Sequence, residues 1–284
     1  MQAQVHMRAS RWPTVGCVLA GWLVMSATGT IGATQGAADP VAAARALIAP
    51  TGTLRVGVNF GNALFTTRDP ATGAPRGVGI DLVAALGQRL GVPVTHVIHA
   101  TPGDVAASAG SGTWDVAILA IEPARADVIT FSSPMTEIQA TYVVRRDSTV
   151  AVVADVDRPG RRVAAAPRTG YELFLSRTLQ HAALLRPAGT EASMAMLRRG
   201  EVDAVAGLAP TLHEAYNRSP DVRVLDGGFT TVNHGLAVPK GRPAGAAAAV
   251  DLFVRDMVAT GALADLIARH GVQGLRAVRT AADR

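Results

Sequence analysis

Between Trp114 and Val144 three apolar runs alternate with polar breaks, and few folds accommodate that alternation. The first run, Val116 to Ala120, contains no polar residue, as a strand buried on both faces of a parallel sheet requires. Glu122-Pro123 follows, an acid and a proline where a short helix starts. Arg125 comes one turn later. Val128-Ile129-Thr130-Phe131 is a second apolar run, Ser132-Ser133-Pro134 breaks it, and Ala140 to Val144 reads as a third strand. An arginine just past the carboxyl end of a strand sits where open α/β sheets bind ligands.

The same grammar of strand, turn and helix begins at Leu54. Leu54 to Val58 alternates as a strand, and Asn59-Phe60-Gly61-Asn62 forms a turn that suits unusual dihedrals. Asp69 to Gly73 is a hairpin loop. Asp81 is expected to cap a helix whose apolar face is Leu82, Val83, Leu86 and Leu90 and whose end is Gly91. Val94 to Ile98 is the next strand. In the second half, Arg162 to Ala166 is a strand leading to Pro167-Arg168-Thr169-Gly170-Tyr171-Glu172, where Thr169 and Glu172 have capping-box spacing. A helix start directly after a strand offers free N–H groups and a positive dipole end, which suit an anion. Thr190 is expected to cap the following helix. Glu201 to Leu208 is a strand ending at Gly207-Leu208, and Pro210 to Asn217 is a helix. Gly235 to Lys240 is a return strand before two C-terminal helices, and residues 272–284 read as a loose tail.

Composition excludes several classes. The net charge of +5 is spread along the 284 residues, Lys240 is the only lysine, and no basic cluster is interleaved with aromatics. Nucleic-acid binding is therefore not expected. His96 and His99 stand three apart on one strand, hence on opposite faces, so no metal site and no cofactor are expected. Arg8 and Arg11 ahead of the apolar Val15 to Met25, then small residues from Ser26 to Ala33, read as a secretory signal over residues 1–33. Cys17 falls within it, and a chain cleaved there has no thiol chemistry.

The stretch of strand, acidic turn, Arg125 and Phe131-Ser132-Ser133-Pro134 resembles the family 3 periplasmic solute-binding proteins of ABC importers. So do Arg76-Gly77-Val78-Gly79-Ile80-Asp81-Leu82, the Thr169-Gly170 turn, Glu201-Val202-Asp203-Ala204-Val205, and Gly235-Leu236-Ala237-Val238-Pro239-Lys240-Gly241. The resemblance implies an α/β, two-lobed type II periplasmic-binding fold with a central cleft and two crossover strands, near 138–142 and 232–236. Residues 48–137 and 236–271 would form lobe 1, and 138–235 lobe 2. It also implies a periplasmic, monomeric binder without enzymatic activity that serves an inner-membrane ABC permease. In such amino-acid binders an arginine at the position of Arg125 grips the ligand carboxylate bidentately.

The departures from that pattern concern the ligand. Leu208 stands where the family places an acid for the ligand ammonium, and Asn62 stands where an aromatic covers the ligand. Ala120-Ile121-Glu122 replaces the usual hydroxyls, and Arg168 replaces a glycine beside the second turn. A leucine cannot satisfy a buried ammonium, so an ordinary amino acid is disfavoured unless Glu122 or Glu137 takes the acid's place. The expected contacts are Asn59, Phe60, Asn62, Ala120, Glu122, Arg125, Arg168, Thr169, Gly170, Tyr171, Gly207 and Leu208, and the expected ligand is a small carboxylate-bearing solute. The alternative is a periplasmic dehydratase of the prephenate or arogenate type on the same fold, with Glu122 or Glu137 as general acid.

Overall fold

The computed structural model describes residues 39–243 and 245–279. The signal segment expected over residues 1–33 and the end of the tail lie outside them. Asp39 caps α1 (Pro40–Ile48) by accepting from the Val41 N–H at 2.9 Å. Strand β1 (Leu54–Asn59) follows, then a hairpin of β2 (Thr67–Arg68) and β3 (Pro75–Arg76) around the Asp69–Gly73 loop. Helix α2 (Val78–Leu90) buries Leu82, Val83, Leu86 and Leu90 and ends at left-handed Gly91. Next come β4 (Val94–His99), α3 (Pro102–Ala107), β5 (Val116–Ala120) and β6 (Ile129–Phe131).

Strand β7 (Thr136–Arg145) is ten residues long and leads into β8 (Arg162–Ala164), α4 (Gly170–Thr178), β9 (Ala183–Leu185), α5 (Thr190–Arg198) and β10 (Ala204–Leu208). Helix α6 (Ala209–Tyr216) and β11 (Val222–Val224) precede β12 (Thr230–Pro239), also ten residues. The described chain finishes with α7 (Ala246–Ala259), α8 (Ala262–His270) and β13 (Arg276–Ala277).

The sheet runs in the order β4-β1-β5-β12-β7-β10-β8-β9. Strands β4, β1 and β5 are mutually parallel, as are β10, β8 and β9, and the antiparallel pair β12–β7 joins the two sets. Each of the two long strands serves both lobes. The half of β12 from His234 onward pairs with β5 and β6, while its first half lies along β7 from Thr136 to Ala140. The far half of β7 pairs with β10 and β11. Separate cores sit on the faces of the two sets, one built on Leu54, Leu86, Leu236 and Phe253 and another on Tyr142, Val163, Leu175 and Ala206. This is a two-lobed mixed α/β fold with two crossover strands.

Four local expectations are corrected. Asp81 lies inside the first turn of α2, with its carboxylate 2.8 Å from His270 Nε2, and Gly77 is the cap residue. A Cβ on Gly77 would sit 2.6 Å from the Phe65 carbonyl oxygen, so the chain passes too close there for any other residue. Thr190 is the first helical residue of α5, and Gly189 precedes it. The Glu172 carboxylate accepts from the Arg168 N–H at 2.8 Å and not from Thr169, although Thr169 does cap α4 through the Glu172 N–H. The tail is not loose throughout: Leu275 is buried, and β13 pairs with β7 at Glu137 and Thr136.

Candidate functional site

The carboxyl ends of β1 and β5, the start of α4 and the crossing strand β12 surround a cavity of about 60 Å³. Arg125 lies in the single turn of 3-10 helix after β5, only 3 % exposed. Its Nη1 donates to the Ala120 carbonyl at 2.8 Å and its Nη2 to the Arg168 carbonyl at 2.9 Å, so one guanidinium ties β5 to the loop before α4. Burial lowers its pKa to about 10, against a smaller opposing effect of Glu122, and it stays charged at neutral pH. Among the described residues no carboxylate forms an ion pair with it: Glu122 is taken by Arg177 of α4. A buried cation without a direct counter-ion is costly unless an anion completes it.

Asn59, Asn62, Ala120, Arg125, Thr169, Gly170, Tyr171 and Leu208 all line this cavity. The Thr169 hydroxyl donates to the Ala166 carbonyl at 2.8 Å, so it works as a cap within its own loop. The Gly170 and Tyr171 N–H groups belong to the first turn of α4, which has no intrahelical acceptors for them. Four expected contacts lie elsewhere. Phe60 carries the Arg68 guanidinium 3.8 Å over its ring. Glu122 is held in its ion pair. The Arg168 side chain reaches across to Asp104 of α3 at 2.6 Å. Gly207 is covered by the Leu212 side chain. Glu137 is exposed, opposite Arg276 in the β7–β13 ladder, and lines a separate groove.

The lobes meet closely beside the cavity. A Cβ on Gly170 would lie 2.6 Å from the Ala120 Cβ and 3.0 Å from Val232 Cγ1. Gly170→Ala is therefore expected to weaken solute binding by about tenfold or more by holding the lobes apart, since alanine suits a helix start but not that gap. Calorimetry beside a thermal melt checks this, with the melt expected to move little.

Sequence reasoning missed His234. It stands on β12 as the partner of Ala120 on one side and Thr136 on the other, 6 % exposed, with its Nε2 3.4 Å from Asn62 Nδ2. Its signal in the sequence is a histidine that, directly after Asn233, leads a run of apolar residues on a return strand. Burial, helped by the Arg125 charge, pushes its pKa down to about 3. Between roughly pH 6.5 and 3 the unfolded chain therefore binds a proton that the folded chain refuses, so stability is complete above that window and is lost as pH falls through it. Linkage predicts about 2 kcal/mol lost between pH 7 and pH 5. Urea unfolding at both pH values measures it, and His234→Phe should remove most of the difference.

No helix among the described residues is long and apolar enough to cross a membrane. Among the same residues no group of three or more His, Cys, Asp or Glu could hold a metal ion.

Two lobes, two crossover strands and a cavity between them define the type II periplasmic binding fold. The chain belongs to the bacterial extracellular solute-binding proteins, family 3, whose profile matches residues 54–273. Solved structures agree. A mutant of ArgBP from T. maritima is 24% identical, with a TM-score of 0.66 over 80% of this chain and 99% of that one. The amino acid ABC transporter substrate-binding protein AbpA from Streptococcus pneumoniae, bound to L-arginine, is 25% identical, with a TM-score of 0.65 over 78% and 96%. The ancestral amino acid-binding protein AncCDT-1, a precursor of cyclohexadienyl dehydratase, is 26% identical, with a TM-score of 0.64 over 78% and 96%. A search of curated protein sequences finds no match.

Proposed function

We propose that the protein captures a small carboxylate-bearing solute outside the cytoplasm and delivers it to an ABC permease. It works as a periplasmic monomer after removal of residues 1–33. Lobe 1 is residues 48–137 with 236–271, lobe 2 is residues 138–235, and the two close over the solute. The observation that carries this reading is Arg125, a buried cation at the cavity wall with no carboxylate partner among the described residues, in a cavity that no acidic side chain lines.

That balance favours an organic acid over the matching α-amino acid. Leu208 faces the cavity where an ammonium would need an acid. Leu208→Asp is expected to shift preference toward amino acids, read as the ratio of the two affinities.

A dehydratase of the prephenate or arogenate type would need a carboxylic acid facing the solute. Glu122 is committed to Arg177, and Glu137 lies outside the cavity. A thermal-shift screen of carboxylates tests the proposal, because a ligand of the folded state raises the midpoint by mass action. Shifts confined to cationic amino acids, or multiple turnover of prephenate by the purified protein, would overturn it.

A further inference from the structure

We propose that the solute is an aliphatic monocarboxylic acid whose hydrocarbon chain lies against Ile118 and Leu208 and carries no second charge. This rests on the carboxylate reading above and names the rest of the solute.

The apolar wall runs back from Arg125 along β5. Ala120, whose carbonyl holds the Arg125 guanidinium, points to the same face of the strand as Ile118, about 7 Å further back. Strand β5 lies between β1 and β12 and buries each of its other residues, yet Ile118 stays partly exposed. Leu208 at the end of β10 and Ile80 in the first turn of α2 are partly exposed as well. All three line the cavity, beside the buried Val58, Phe65 and Val232. Single exposed apolar residues mean little, but these converge on one concave site. Leu208 also packs against the cores of both lobes, so it stands at their junction. A Cβ on Gly79 would lie 3.0 Å from Ile118 Cδ1, which puts the tip of that side chain against the start of α2.

Little at this wall would serve a polar chain. Among the described residues Arg125 is the only charged group that lines the cavity. The Thr169 hydroxyl is spent on the Ala166 carbonyl at 2.8 Å. Asn62 accepts from the Leu64 N–H at 3.2 Å, and its amide nitrogen lies 3.4 Å from His234 Nε2. A second charge on the solute would leave water without a partner, whereas each methylene that leaves water there gains about fourfold in affinity. Asn59 and Thr66 are the lining residues that a hydroxyl on the chain would have to use.

Calorimetry with propanoate, pentanoate and 4-hydroxybutanoate tests this. The first two differ by two methylenes, and the third replaces the terminal methyl of pentanoate by a hydroxyl. Wild type is expected to bind pentanoate about tenfold tighter than either of the others. Ile118→Thr keeps a β-branched residue suited to the strand but removes the tip that faces the cavity. It should cut the preference for pentanoate over propanoate to about threefold or less. Should Ile118→Thr not fold, as judged by circular dichroism, Leu208→Thr replaces it with the same expectation. Equal binding of pentanoate and propanoate by wild type, or 4-hydroxybutanoate binding as tightly as pentanoate, would overturn the inference while leaving the carboxylate reading in place. So would a preference unchanged in the folded variant, since the chain would then lie elsewhere. Failure of wild type to bind any of the three acids would also overturn it, and the carboxylate reading would then stand or fall with the wider screen.

Discussion

Arg125→Lys is expected to weaken solute binding by about 2–5 kcal/mol, the range for a buried charge contact that is truncated or misfitted. The guanidinium already spends one donor on the Ala120 carbonyl and one on the Arg168 carbonyl. Its planar fork can hold both and still present further N–H groups to a carboxylate, whereas the compact ammonium of lysine cannot reach three partners set in one plane. The same substitution should loosen the contact between the lobes, because the Arg168 carbonyl belongs to the loop before α4. Calorimetry with the tightest acid from the screen measures the loss. A change below about 1 kcal/mol, the worth of a surface pair, would remove Arg125 from the site.

The second large effect is on stability. Asp115→Ala is expected to cost about 3 kcal/mol, because it breaks a buried ion cluster and leaves its cations behind. The Asp115 side chain is fully buried just before β5. It accepts from the Arg55 backbone N–H at 2.8 Å and from Arg55 Nη2 at 2.7 Å, and it also pairs with Arg242, just past β12. Both arginines retain some solvent exposure, which keeps the expected cost near the low end of that for fully buried pairs. The cluster matters to the site because it clamps the strands that carry Asn59, Ala120 and His234. Urea unfolding with an unchanged m-value is the check, and a loss under about 1 kcal/mol would mean that the cluster relaxes into water.

Much of this arrangement was legible in the sequence, for local reasons. Val116 to Ala120 could only be a strand buried on both sides, and that placed Arg125 at its carboxyl end. Thr169 announced a helix start, and Leu208, read as a contact, does line the cavity. The misses have a common cause, in that they depend on contacts between segments distant along the chain. Glu122 looked free until α4 brought Arg177 to it. Arg168 has φ of 59°, a left-handed conformation uncommon for a non-glycine residue, and its side chain leaves the cavity for Asp104. The start of β7 was hidden by Glu137 and Gln139, exposed residues that alternate with buried Thr136 and Ile138. His234 was hidden by its surroundings: nothing in the sequence places a lone histidine on a return strand beside an arginine more than a hundred residues away.

The central claim is that this pocket is built for a carboxylate and not for an ammonium beside it. Calorimetric titration of the wild-type protein with pyruvate and with alanine, a pair of equal length differing in the group on the second carbon, tests it most directly. Arg125, the neutral His234 and the apolar Leu208 predict tighter binding of pyruvate. Tighter binding of alanine would mean that another group, Glu122 released from Arg177 foremost, receives the ammonium, and would contradict the account.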